Sequence, residues 1–265
     1  MKNKFIMRSA LFYVLIACLF TVQSAFAKGR DRQFYEIKIY HFANQEQVKT
    51  TDGYLQDAYL PALHRAGINN VGVFKPIGND TAKDMRIYVL IPMASIKQYT
   101  ELPGKLIKDQ TLASAGKDYI DASHKMPPYK RIETLLLQAF ADMPQLQMPG
   151  LSGAKQDRVY ELRSYEGPTE KLYRNKVHMF NEGKEINIFH KLKFNPIFFA
   201  EVLAGSSMPN LMYMTSFENK ASREEHWKAF GADVDWKALS SMPNYQNNVS
   251  KADILFLYPV NYSDI

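Results

Sequence analysis

The sequence predicts an α+β fold built from two tandem βαββαβ units, and three observations carry that prediction. Blocks of residues recur in the same order at a spacing near 125. Each half repeats one alternation of strand-like and helix-like segments. A stretch containing Pro144, Pro149, Gly150 and Gly153 separates the halves. The chain has 265 residues, 46% hydrophobic and 23% charged, enough for one large core or two modest ones.

The elements follow in order. Residues 34–41 alternate and are rich in Tyr and Ile, the pattern of a strand. Leu55, Ala58, Tyr59, Ala62, Leu63 and Ala66 keep helical spacing, which predicts a helix over 47–66 with a kink at Pro61. Residues 70–75 and 85–91 read as strands joined by a Gly78-Asn79-Asp80 turn, and Ser95-x-x-Gln98 is a capping box that starts a second helix. Arg131 to Phe140 closes the unit as a fourth strand. The second unit reads as strand 158–166, helix 170–190, strands 196–203 and 211–218, helix 222–231 and strand 252–259. This order is that of a ferredoxin-like split unit, an antiparallel sheet with both helices on one face.

The repeat is visible residue by residue. Phe34-Tyr35-Glu36-Ile37-Lys38-Ile39-Tyr40 returns as Val159-Tyr160-Glu161-Leu162-Arg163-Ser164-Tyr165, offset by 125. His64 to Val71 returns as His190 to Ile197, and Ile87-Tyr88-Val89 as Met212-Tyr213-Met214. Ala94-Ser95 matches Ala221-Ser222, which makes Ser222-x-x-Glu225 a second capping box. Met126-Pro127-Pro128-Tyr129 matches Met242-Pro243-Asn244-Tyr245 at the shorter offset of 116, so the first copy carries about ten extra residues after its second helix. The expected organisation is a leader over 1–27, a first domain over 28–141, a linker over 142–157 and a second domain over 158–265.

The leader has the three parts of a secretory signal: Lys2, Lys4 and Arg8, then an apolar run from Ala10 to Val22, then Ala25-Phe26-Ala27. Export to the periplasm or the medium with cleavage after Ala27 is the expectation. An alternative takes Leu15-Ile16-Ala17-Cys18 as a lipoprotein box anchored at Cys18. Cys18 is the one cysteine, so the mature chain has no disulfide, thiolate metal site or cysteine nucleophile. Losing three basic residues leaves 30 basic against 27 acidic side chains, a net charge of +3 with no basic stripe. Nucleic acid is therefore not an expected partner, and no membrane span is expected in the mature chain.

Alternation places Tyr35, Ile37 and Ile39 on one face of the first strand, the expected helix-covered face. Glu36, Lys38 and Tyr40, with Glu161, Arg163 and Tyr165 in the second copy, occupy the other. Neighbouring strands such as 197–200 and 135–137 are apolar on both faces. Two sheets stacked face to face would then bury the Glu–Lys and Glu–Arg pairs between them. The expected assembly is an intramolecular pseudodimer, with a homodimer as the alternative.

Tyr160-Glu161-Leu162-Arg163-Ser164-Tyr165, the His190 block, and Ala221-Ser222-Arg223 through Trp227, Phe230 and Trp236 resemble the NIPSNAP family. The resemblance implies ferredoxin-like repeats of the dimeric α/β-barrel superfamily and carries almost nothing about a reaction. The first copy departs from it, with Lys97 and Tyr99 in place of the Arg and Trp block.

The ligand-pocket candidates are Glu36, Lys38, Tyr40, His64, Glu161, Arg163, Tyr165 and His190. His64 and His190 end the first helix of each copy, where an imidazolium meets the helix dipole, a complete structural account; pocket ligand or proton shuttle is the functional one. Distant superfamily members bind haem through a helix histidine, but no further haem feature occurs here. His178, Glu182 and Glu185 could form a metal face and read better as a solvated helix face. Trp227, Phe230 and Trp236 read as core anchors, and Asn248-Val249-Ser250 as a glycosylation sequon. HExxH, Walker A, GxGxxG and GxSxG motifs are missing. The expectation is an exported protein that binds a small apolar or aromatic ligand or a partner without catalysis, with no cofactor and no metal. The alternative is a cofactor-independent monooxygenase or isomerase built on Tyr40, Tyr165, Arg163, Glu161 and His190.

Overall fold

In the first half, strand β1 (Phe34–Phe42) lies between β3 (Met85–Met93) and β4 (Arg131–Ala139), and β3 pairs with β2 (Gly72–Pro76). In the second, β5 (Val159–Glu166) lies between β7 (Asn210–Phe217) and β8 (Lys251–Pro259), and β7 pairs with β6 (Pro196–Ala204). Both halves therefore have the 4-1-3-2 strand order of the split βαββαβ unit. The computed structural model describes residues 31–265; the expected leader over 1–27, with Cys18, lies outside the described residues.

The two sheets meet at their edges. Strand β2 pairs with β8 through Phe74 to Pro76, and β4 pairs with β6 through Leu136 to Ala139. The result is one closed antiparallel barrel, β1-β3-β2-β8-β5-β7-β6-β4, completed within a single chain. Closure removes the unpaired edges that two merely stacked sheets would leave. The expected face-to-face stack is corrected to edge-to-edge closure.

Closure also reverses the expected faces. Tyr35, Ile37, Ile39, Tyr160 and Leu162 point into the barrel, in one apolar cluster with Phe198 and Met212 from the second half. Glu36, Tyr40, Glu161 and Arg163 lie on the outer, helix-covered side, where separate clusters of each half surround them. An eight-stranded barrel has an interior just wide enough for side chains to fill, so the apolar set goes inside. The hydroxyls of Tyr35 and Tyr160 are buried there with no hydrogen-bond partner among the described residues, and burial pushes both phenols up.

Helix α1 covers the first half as Gln45–Tyr54, a π-helical turn Leu55–Tyr59, and Leu60–Arg65. Pro61 has no N–H to donate, and the wide turn before it absorbs the mismatch, with the Leu60 N–H donating to the Leu55 carbonyl. Helices α2 (Ile96–Ile107), α3 (Gln110–Ala115) and α4 (Lys117–Ile120) follow. The predicted cap forms in a shifted version of the box: the Gln98 N–H donates to Ser95 Oγ at 3.2 Å, and Gln98 Oε1 accepts from the N–H of Ala94, one residue before the cap, at 2.7 Å.

The second half differs from expectation at three points. The predicted helix 170–190 breaks into α5 (Glu170–Phe180) and α6 (Glu185–Lys191), with Lys184 at φ 66° between them. Helix α7 (Lys220–Ala232) is capped by Asn219, which accepts from the Ser222 N–H at 2.9 Å, so Ser222 is inside the helix and the second capping box does not form. The structural offset here is therefore 124, and the match of Tyr88 with Tyr213 slips by one. Tyr88 points into the barrel and Tyr213 out, toward the helices. Such a slip exchanges the faces of a strand. Helix α8 (Val234–Ser240) ends the helical layer.

Residues 142–157 run along the barrel, held by the Gln33 N–H to the Pro144 carbonyl at 2.8 Å and the Gln147 N–H to the Ile197 carbonyl at 3.0 Å. Leu146 packs against the interior cluster, and Ile265 is buried within it. Gly72 is required beside that tail, because a Cβ there would collide with the Phe74 ring and crowd Ile265. Among the described residues, no helix is long and apolar enough to cross a membrane.

Candidate functional site

Each half holds one acidic, one basic and one tyrosine side chain on the helix side of its first strand, and the two constellations are built differently. In the second half Glu161 is fully buried. Its carboxylate accepts from Arg163 Nε at 2.5 Å, from Arg223 Nε at 2.6 Å and Nη2 at 3.1 Å, and from Trp227 Nε1 at 2.9 Å. The Arg163 guanidinium stacks 3.7 Å from the Trp227 ring centroid and donates to Tyr165 Oη at 2.8 Å. Tyr165 and Tyr213 share a further hydroxyl bond of 2.8 Å. Burial alone would raise the Glu161 carboxyl, but Arg223 and Arg163 together hold it below the usual range. A second buried pair, Lys176 Nζ to Glu185 Oε2 at 2.8 Å, packs beside the same aromatic layer. The two buried carboxylates here are each paired with cations of the chain itself.

The first half leaves its carboxylate open. Glu36 is 6% exposed, and its nearest cation is Lys38 Nζ at 3.8 Å, beyond hydrogen-bond distance. Burial, offset only in part by Lys38, lifts the Glu36 carboxyl above its usual range. Lys38 stands in place of Arg163, Tyr99 in place of Arg223 and Pro103 in place of Trp227, and tyrosines form the surroundings. Lys38 donates to Tyr59 Oη at 3.4 Å, and Tyr54 stacks on Tyr119 with centroids 3.9 Å apart. Burial and the neighbouring Glu36 charge raise the phenols of Tyr59 and Tyr99. Lys38 is partly exposed, and Thr134 and Leu136, its neighbours on the same face of β4, are exposed and half-buried. The constellation therefore opens to solvent along β4.

The structure brings Glu36, Lys38 and Tyr40 together on one side, and Glu161, Arg163 and Tyr165 on the other; neither histidine joins them. His64 is exposed, and its Nε2 meets Asp264 Oδ2 at 2.9 Å, tying the helix end to the C-terminal tail. His190 is exposed at the end of α6, where partial burial lowers its pKa. The break after Phe180 separates His178 and Glu182 from Glu185, and Glu185 is buried, a correction to the solvated face expected for all three. Among the described residues no group of three or more His, Cys, Asp or Glu is placed to hold a metal ion. Asn248 of the sequon is buried and donates to the Asn244 carbonyl. Sequence reasoning missed Tyr59, Tyr99 and the Glu161 contact of Arg223. Aligning the true helix caps, Ser95 with Asn219, would have set Tyr99 against Arg223.

A ring of eight antiparallel strands with its helices outside, and a charged strand face beneath those helices, defines a protein of the dimeric α/β-barrel type, here completed by one chain. In its second half, residues 160–264 match the model of the NIPSNAP family. A NIPSNAP family protein of Agrobacterium tumefaciens is 18% identical, covering 44% of this chain and 98% of that one with a TM-score of 0.37. Over the whole barrel, a candidate monooxygenase of Lactobacillus acidophilus is similar, with 10% identity, 86% of this chain, 94% of that chain and a TM-score of 0.57. A second candidate monooxygenase, from Fusobacterium nucleatum, has 6% identity, covers 86% and 93%, and gives a TM-score of 0.55. At such identities the likeness concerns the fold alone. No curated protein matches the chain.

Proposed function

We propose that this is an exported protein that binds a small ligand without catalysis, and that the binding site is in its first half, around Glu36 and Lys38. One observation carries the reading: two equivalent buried carboxylates differ in satisfaction. Glu161 accepts four hydrogen bonds from the chain, whereas Glu36 has one loose ionic partner. A buried charged group left short of partners, with a solvent-facing edge and aromatic walls, suits a ligand. The second half, by the same comparison, serves as scaffold. The leader over 1–27 supports export, and the duplicated units over 28–141 and 158–265, joined by 142–157, support a single-chain barrel. Native mass spectrometry for co-purified ligand, with a thermal-shift metabolite screen on wild type and Glu36→Gln, tests the site. Shifts lost in the variant are expected; no bound species and no shift across the screen would overturn the reading.

A second reading is favoured by the lifted Glu36 carboxyl beside the Tyr40 and Tyr59 phenols: a buried acid that burial holds above the usual carboxylate range is the kind of proton carrier a cofactor-independent monooxygenase or isomerase requires. Oxygen uptake or isomerisation that disappears in a folded Glu36→Gln variant would select this reading. Turnover dependent on His190 instead would move the chemistry to the second half.

A further inference from the structure

Tyr99 stands four residues beyond the Ser95 cap, as Arg223 stands four beyond Asn219, and Pro103 corresponds in the same way to Trp227. In the second half those two positions deliver a guanidinium fork and an indole N–H to Glu161, at 2.6, 3.1 and 2.9 Å. In the first half neither replacement places a donor within hydrogen-bond distance of Glu36. Pro103 has no donor and is exposed, and among the described residues no hydrogen bond reaches the Glu36 carboxylate. Lys38 replaces Arg163 with a point charge that stays 3.8 Å away.

We propose that the first half binds a planar cation, an amidinium or guanidinium on a small aromatic or aliphatic body, with Glu36 as its bidentate partner. The inference rests on the ligand-binding reading and names its ligand class. Two parallel N–H···O bonds are the geometry a carboxylate offers to such a fork. The bound cation would recreate the Arg–Glu–Arg charge pattern of the second half, with Lys38 in the place of Arg163. Aromatic faces are at hand for it: the Lys38 ammonium already lies 5.4 Å from the Tyr59 centroid. Tyr99 is only half-buried and Thr134 exposed, so entry along β4 needs no opening of the barrel.

Calorimetry and thermal shift on the full-length protein with benzamidine, agmatine, benzamide and benzoate test the class. Benzamidine and agmatine are expected to bind saturably, and the neutral and anionic probes not to. Glu36→Gln should weaken binding about 10- to 100-fold, the worth of a hydrogen bond to a charged group. Tyr99→Arg supplies the guanidinium from the chain, so it should raise Tm without ligand and abolish binding. Benzamide or benzoate binding with equal dependence on Glu36 would overturn the cation class and leave the binding reading standing. Benzamidine binding unmoved by both variants would overturn the site. No binding by the four probes, with no rise in Tm for Tyr99→Arg, would overturn the proposal, while the metabolite screen judges the broader reading separately.

Discussion

At the residue scale, two carboxylates at equivalent positions have opposite consequences for stability. Glu161 is fully buried among Arg163, Arg223 and Trp227, so removing the carboxylate strands two largely buried guanidiniums, at a cost of about 3–5 kcal/mol. Urea denaturation of Glu161→Ala should show that loss, and Arg223→Ala a smaller one because Arg163 and Trp227 still reach Glu161, with the double variant less than additive. Glu36→Gln should stay within about 1 kcal/mol of wild type, since it removes one loose pair. The pH dependence separates them further. The folded Glu161 carboxyl is below its ordinary value of 4.5, so the stability it contributes is present above that value and is lost as pH falls through the lowered one. Glu36 is raised above 4.5, so the folded state binds its proton more tightly than the unfolded chain does. Its effect therefore runs the other way, with stability falling as pH rises from 4.5 through the raised value. Denaturation midpoints followed downward from pH 4.5 should fall less in Glu161→Gln than in wild type, and followed upward from pH 4.5 should decline less in Glu36→Gln.

At the scale of the element, helix caps determine which residues of the two halves correspond. Asn219 is the cap of α7, accepting the free N–H of Ser222 in its first turn. Asn219→Ala should cost about 1 kcal/mol, while Ser222→Ala should change stability by less than about 0.5 kcal/mol, measured by thermal or chemical unfolding. Equal losses in both would restore Ser222 as the cap and realign Tyr99 away from Arg223. The first helices obey the same logic of local accommodation. Pro61 produces a π-helical turn in α1, and Asn181 to Lys184 break the second-half helix so that Glu185 can turn inward to Lys176.

For the whole molecule, the seams between β2 and β8 and between β4 and β6 make one hydrogen-bonded ring of the two halves. Ile265 and Leu146 pack on a core to which both halves contribute. Neither half can expose that core alone, so unfolding should be one cooperative transition, coincident by far-ultraviolet circular dichroism and tryptophan fluorescence. Two separated transitions would mean that the halves fold independently. Light scattering should give a monomer, because the barrel that other chains could close by pairing is already closed; an obligate dimer would mean that a further surface is covered.

The element order, the duplication and the pairing of Glu36 with Lys38 and Glu161 with Arg163 on one strand face are properties of the sequence alone, because period-two alternation and recurring blocks are local signals. Alternation separates two faces without saying which is inside. That was decided by barrel closure, whose narrow interior admits Tyr35, Ile37 and Leu162 and leaves the charges to the helix layer. The offset of 124 rather than 125 between β3 and β7 was likewise a matter of hydrogen-bond register, and it set Tyr99 opposite Arg223. Whether Glu36 and Glu161 are satisfied depends on donors more than 60 residues away in sequence, such as Arg223 and Trp227 for Glu161. Only tertiary packing brings such groups within 3 Å, so the difference between a scaffold carboxylate and an open one belongs to the folded molecule.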